Sequence, residues 1–163
     1  MARKCFYSFH YKPDNWRAAT VRSIGAIEGN VPAPDNDWES ITNGGDAAIK
    51  KWIDEQMDGR SCVVVLAGFE TANRKWINYE IVKAWNEKKG VVGIHIHGLK
   101  NADKEIAAKG ANPFDYIDVG SKKLSSLVKC YDPSGSTSQE RYDWIKTYLA
   151  AAVEEAIEIR NNV

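Results

Sequence analysis

The chain has 163 residues and a mass of 18.2 kDa, a length for one domain rather than two. Its 22 basic and 22 acidic residues cancel, at an isoelectric point near 6.8, which removes the basic surplus of a general nucleic-acid binder. A hydrophobic fraction of 44%, with six Trp and seven Tyr, excludes a disordered chain. No apolar run approaches the roughly 18 residues needed to cross a bilayer, and the N-terminus shows no signal-peptide pattern. The three cysteines, Cys5, Cys62 and Cys130, lie far apart inside apolar runs. They read as buried free thiols of a reducing cytoplasm, and without a C-x-x-C pair they offer no thiolate zinc framework. The expectation is a cytoplasmic single domain over residues 1–163, with no metal, no membrane contact and no nucleic-acid partner.

In chain order, Cys5–Phe9 reads as a strand that Pro13 interrupts. Asp14 can cap a helix running to about Ile24, with Gly25 as its stop. Residues 25–45 carry Gly29, Pro32, Pro34, Gly44 and Gly45 and read as loop with one short strand. Asp46 opens a second helix whose Ile49, Trp52, Ile53 and Met57 form one apolar stripe, stopped by Gly59. Cys62–Ala67 is apolar at every position, the signature of a strand covered on both faces.

A third helix spans about 73–89, with Asn73 as its cap and Gly90 as its end. Val91–His97 reads as a strand, 98–124 as irregular with a short helix near 102–108, and Leu127–Tyr131 as a further strand. Thr137 and Glu140 have the spacing of a capping box and open a helix to about Arg160. Its inner face carries Tyr142, Ile145, Leu149, Ala152 and Ala156. Strand and helix alternate throughout, so the expected fold is α/β: a three-layer, flavodoxin-like parallel sheet of about five strands with helices on both faces.

Such sheets bind ligands beyond the carboxyl ends of their strands, where the strand order reverses. The loops to read are Ser8-Phe9-His10-Tyr11, Gly68-Phe69-Glu70-Thr71 and His97-Gly98. None of them is a G-x-G-x-x-G fingerprint, a G-x-x-x-x-G-K-[ST] loop or a G-x-S-x-G elbow. A phospho-receiver aspartate is also missing, because Ala67-Gly68 stands where it would be. His95 and His97 fall on one side of their strand and lack a third metal ligand, so they read as structural. Asn43 to Asp46 could belong to a loop over the pocket, and the role of the Trp38 region is not readable.

The helix after the 62–67 strand, Arg74-Lys75-Trp76-Ile77-Asn78-Tyr79-Glu80-Ile81-Val82, holds the remaining chemistry. Ile77, Ile81 and Ala84 form its core stripe, and Trp76 and Glu80, four apart, share another face. Spacing leaves two readings of Glu80 open. It is an active-site acid among aromatic and aliphatic neighbours, or a surface carboxylate pairing with Lys83 or Arg74.

Several segments together resemble a family, and the resemblance covers nearly the whole chain. They are Phe6-Tyr7-Ser8-Phe9-His10-Tyr11, Val63-Val64-Val65-Leu66, Trp76-Ile77-Asn78-Tyr79-Glu80, Gly110-Ala111-Asn112-Pro113-Phe114-Asp115 and Tyr142-Asp143-Trp144-Ile145. They are similar to the TIR-like domains of bacterial immunity, in particular the sensor proteins of the Thoeris anti-phage system. The resemblance implies an enzyme that cleaves NAD, its substrate rather than a bound cofactor, at the nicotinamide–ribose bond. It also implies a cyclic ADP-ribose product that reaches a separate effector, with a phage-derived trigger. The essential glutamate of such enzymes matches Glu80. Ser8, Phe9, His10, Tyr11 and Trp76 are then the candidates for lining the substrate, and a homo-oligomer is a natural assembly. The competing reading is a TIR-like adaptor or nucleotide-sensing module that acts by protein–protein assembly without turnover, and it has no need of Glu80.

Overall fold

The structure is a computed structural model that describes residues 3–29 and 45–163. Pro32, Pro34, Trp38 and the part of the proposed pocket loop before Gly45 lie outside the described residues.

Five strands form one all-parallel sheet: β1 (Lys4–Ser8), β2 (Glu28–Gly29), β3 (Cys62–Ala67), β4 (Gly90–His95) and, at its edge, Cys130–Tyr131. Between β4 and that edge strand, β5 (Asp118–Val119) and β6 (Lys122–Lys123) make a small antiparallel hairpin, so the edge strand is β7. The sheet order is β2-β1-β3-β4-β7, the doubly wound arrangement expected from the alternation of elements. Strand order reverses between β1 and β3, which pair from Cys5↔Cys62 to Ser8↔Val65.

Helices cover both faces because alternate strand residues point to opposite sides. On one face Cys5, Tyr7 and Phe9 pack with Val64, Leu66 and Ile94 under α1 (Tyr11–Arg22) and α4 (Ser138–Asn161). On the other, Phe6, Val63 and Val65 pack under α2 (Gly45–Met57) and α3 (Lys75–Asn86), through Ile49, Ile53, Ile77 and Ile81. All six residues of β3 and all six of β4 are buried, which is why these strands read without polar alternation. Each fully buried aliphatic side chain contributes about 1.5–3 kcal/mol, so the two layers supply most of the stabilisation. Among the described residues, no helix is long and apolar enough to cross a membrane.

Element ends show where local signals were overridden. Helix α1 starts at Tyr11, with His10 at the capping position and Pro13 in the first turn, where no backbone N–H is required. Asp14 is therefore not a cap. It turns inward, is 2% exposed, and pairs with Arg17 at 3.0 Å. Asn73 is not the cap of α3 either; that position is Arg74, and Asn73 sits at φ 61° and accepts from the Asn78 amide at 3.2 Å. At the far end Lys88, at φ 62°, makes the left-handed turn expected of Gly90. Gly90 opens β4 instead, where a Cβ would stand 2.8 Å from the Ile157 backbone nitrogen.

Strand β4 ends at His95, two residues short of the sequence expectation. The stretch 102–108 is not a helix: it turns at 102–104, with Lys104 at φ 63°, and then Arg17 donates to the Glu105 carbonyl at 3.0 Å and Ala107 N–H donates to the His97 carbonyl at 2.9 Å, so tertiary bonds claim its backbone. The expected strand over 127–131 shrinks to two residues, and Leu124–Ser126 forms a 3-10 turn before it. The capping box is present, with Thr137 Oγ1 accepting from Glu140 N–H at 3.1 Å. Trp52 and Tyr142, expected in the core, are half-buried at its margin.

Candidate active site

The carboxyl ends of β1 and β3 bring two loops and one helix together at the switch point. Ser8 ends β1 on the same side as Phe6, so its hydroxyl faces the α2/α3 layer. Helix α3 lies in that layer, with Ile77, Glu80, Ile81, Ala84 and Trp85 buried. Glu80 thus belongs to the core-facing stripe, three residues after Ile77, and not to a separate face shared with Trp76.

The ion-pair alternative for Glu80 is removed. Lys83 pairs with Asp54 at 3.4 Å and with Glu87, and neither Lys83 nor Arg74 is among the groups that shift Glu80. Glu80 is 2% exposed. Burial holds its carboxyl well above the ordinary carboxylate range, and only the nearby Ser8 hydroxyl pulls the other way. That hydroxyl, on a residue 1% exposed, has no hydrogen-bond partner by geometry among the described residues. A carboxyl and a hydroxyl are therefore desolvated side by side where this fold class binds ligands. Desolvated polar groups without partners are costly and mark functional sites more often than surface pairs do.

The other sequence candidates divide. His10 is half-buried at the N-terminus of α1, and its Nδ1 has no partner among the described residues. Its pKa is lowered, first by burial and then by the charge of Arg74, with Glu70 opposing. Trp76 lies one turn before Glu80, packed edge-on against Tyr79 at 5.6 Å with Lys75 over its ring at 4.9 Å. Phe9 is 7% exposed and belongs to the opposite layer, with Tyr11 packed beside it at 6.3 Å. The structure brings Ser8, Glu80 and, at the loops, His10 to one edge. It places Phe9 on the other side of the sheet. His95 ends β4 and His97 follows it, farther along the edge, with ring centroids 5.9 Å apart and both buried. Burial lowers His95 to about 4, so it is neutral at physiological pH.

Sequence reading missed what braces this edge. Gly68 N–H donates to Thr71 Oγ1 at 2.8 Å, closing the loop after β3. Asp14 abuts Gly68 so closely that a Cβ there would sit 2.0 Å from Asp14 Oδ2. Gly110 in turn lies against the Gly68 and Phe69 carbonyls. Arg17 donates to the carbonyls of Pro13, Leu99 and Glu105 and to Asp14. The signal was an Asp and an Arg three apart in a helix, which usually reads as a solvated pair.

Comparison with known proteins identifies the family. Residues 6–101, from β1 through α3 and β4, match the family described as "Thoeris protein ThsB, TIR-like domain". A protein of Bacillus cereus (strain MSX-D12) named "Putative cyclic ADP-D-ribose synthase ThsB1" is 32% identical over 148 residues, which is 88% of this chain and 77% of that relative. The match spans β1, β3 and α3, the elements that carry Ser8 and Glu80, and the chain belongs to the ThsB family of TIR-like Thoeris proteins.

Proposed function

We propose that this protein cleaves the nicotinamide–ribose bond of NAD with Glu80 as its essential carboxylate, and closes the ADP-ribose portion into a ring that serves as a signal in phage defence. The observation that carries this reading is the burial of Glu80 beside Ser8 at the switch point of the sheet. The relative whose name describes a cyclic ADP-D-ribose synthase supports the same product class.

The chemistry needs few groups. The bond between ribose C1′ and the pyridinium nitrogen breaks, its electron pair goes to nitrogen, and nicotinamide leaves neutral, so no acid has to protonate it. Positive charge then develops on the ribose, as in the oxocarbenium states of glycoside cleavage. A fixed carboxylate in a dry site stabilises that charge far more than it would in water. Burial alone favours the protonated form of Glu80, but a bound nicotinamide riboside is cationic and favours the ionised one. Substrate thus charges the group that later stabilises its transition state.

Water capturing the ribosyl cation gives linear ADP-ribose and releases a proton. A nucleophile of the same ADP-ribose gives the ring, which proximity favours where the nucleotide is folded and water excluded. In this reading Ser8 holds a ribose hydroxyl, His10 and Trp76 line the nucleotide, and Tyr11, packed beside Phe9 in the opposite layer, does not reach it. Phe9 supports the loop from behind. The protein works in the cytoplasm, answers a phage-derived trigger, assembles with its own kind, and reaches its effector only through the released product.

Mass spectrometry of extracts from phage-infected cells tests this. The expected result is NAD loss matched by free nicotinamide and a cyclic ADP-ribose isomer. Unchanged NAD in infected cells that carry the protein would contradict the reading.

A further inference from the structure

The solvent side of α4 carries a feature that the NAD reading does not use. Tyr131 on the edge strand β7 and Trp144 on α4 have ring centroids 5.7 Å apart at 46°, and Trp144 and Tyr148 lie 4.9 Å apart at 48°. The successive tilts turn three rings into one concave wall. Ala151 and Ala152 floor it with short side chains, which leaves a pocket of about 120 Å³ closed by Glu155. Trp144 and Tyr148 also border an adjoining depression of about 460 Å³ whose far side is Glu140 and Asp143. No lysine or arginine lines either hollow among the described residues.

Aromatic faces carry negative quadrupole potential, and three of them beside a carboxylate make a receptor for an organic cation. Elsewhere in the described residues the protein uses this attraction internally: Arg160 lies over Trp85 at 4.3 Å and Lys75 over Trp76 at 4.9 Å. None of the described lysines or arginines covers the ring faces of Tyr131, Trp144 or Tyr148. Glu155 accepts from the Tyr131 hydroxyl and from Lys129 at 3.1 Å, so Lys129 is a resident cation that competes for the pocket's carboxylate. Tyr148 is 49% exposed, so its ring is accessible from solvent.

We propose that the wall of Tyr131, Trp144 and Tyr148, with Glu155, is a docking site for the cationic tip of an arginine or lysine side chain presented by a partner protein. The small pocket fits the tip, and the adjoining depression leaves room for the segment that carries it. The acidic rim is wrong for a nucleotide diphosphate. The site lies on the exposed flank of α4 beside the edge strand β7, at the margin of the α1/α4 layer and on the opposite side of the sheet from Glu80. It therefore stands apart from the NAD reading and survives or fails separately.

The test uses the full chain labelled with ¹⁵N and two capped tripeptides, Gly-Arg-Gly and its neutral isostere Gly-citrulline-Gly. The Trp144 indole N–H, assigned with Trp144→Phe, reports binding. The arginine peptide is expected to shift that signal saturably and to bind about tenfold more tightly than the citrulline peptide. Tyr148→Leu, at an exposed position that leaves the core untouched, is expected to weaken binding at least fivefold with an unchanged melting temperature. Lys129→Met, which removes the competing cation, is expected to tighten it. Equal binding of the two peptides, no response of the indole, or indifference to Tyr148→Leu would each overturn the proposal.

Discussion

Ser8 closes β1 and Glu80 lies in the sixth position of α3, and the two side chains face one another inside the protein with almost no solvent contact. The relationship has a thermodynamic consequence. The folded state holds the Glu80 proton more tightly than the unfolded chain does, because burial raises its pKa. Bound protons therefore exceed those of the unfolded state over the window between the ordinary glutamate value and the raised one. Stability is then lost as pH climbs through that window, at about 1.4 kcal/mol for each pH unit crossed. Glu80→Gln removes this cost. It is expected to melt higher than the parent near pH 7.5 and to converge with it near about pH 4, where both carry a neutral side chain. Thermal melts at the two pH values check it, and coincident curves at both would contradict a strained carboxyl.

The same raised pKa fixes the direction of the pH–rate profile. Stabilising a ribosyl cation requires ionised Glu80, so kcat/KM of the active protein is expected to rise with pH through the raised value of the free enzyme, approaching about tenfold per pH unit on the acid limb. In the substrate complex the cationic nicotinamide riboside favours the carboxylate, so the kcat profile is expected to break at lower pH than the kcat/KM profile. Initial rates of nicotinamide release across pH separate the two limbs.

Arg17 fastens α1 to the chain beyond β4. It is buried, bonds three backbone carbonyls, and is the cation paired with the buried Asp14. Burial already raises the Asp14 pKa against the pull of Arg17. Arg17→Met keeps the bulk but leaves that carboxylate and the carbonyls unpaired, and is expected to cost about 3–5 kcal/mol. Urea denaturation measures the loss. A change under about 1 kcal/mol would show that the cluster does not brace the edge.

Gly110 tests how the loop after β3 is held. A Cβ there would stand 2.3 Å from the Gly68 carbonyl oxygen and 2.6 Å from that of Phe69, both backbone atoms that cannot swing aside. Gly110→Ala is expected to displace residues 68–71, lower stability by about 1–3 kcal/mol and reduce turnover beyond what the stability loss explains. Activity measured well below the melting temperature, with NAD at saturation, separates the two effects.

How far the sequence could be read depends on what held each element together. Strands β3 and β4 and the Thr137–Glu140 cap were legible because their signals are local: an unbroken apolar run, and two residues three apart. The starts of α1 and α3 were misread because Asp14 and Asn73 look like caps. One is claimed by Arg17 and the other by a left-handed turn. Residues 102–108 carry helix-compatible side chains, but their backbone is claimed by Arg17 and the His97 carbonyl, contacts with no local trace. Glu80 could be singled out, yet its burial could not. A carboxylate three positions after Ile77 looks like a break in an apolar stripe, and only packing against β1 shows that it continues the stripe. Phe9 carried an aromatic signal suited to a nucleotide, but strand alternation had already assigned it to the opposite layer from Ser8.

The most direct measurement compares wild-type and Glu80→Gln proteins in phage-infected cells. Nicotinamide release and cyclic ADP-ribose are followed by mass spectrometry, with expression matched and the melting temperature of the variant equal or higher. The wild type is expected to consume NAD and form the cyclic product. The folded variant is expected to fall to background, a loss of about 10³-fold or more, as for removal of an essential electrostatic group. Equal turnover by the two proteins would contradict the assignment of Glu80 as the essential carboxylate.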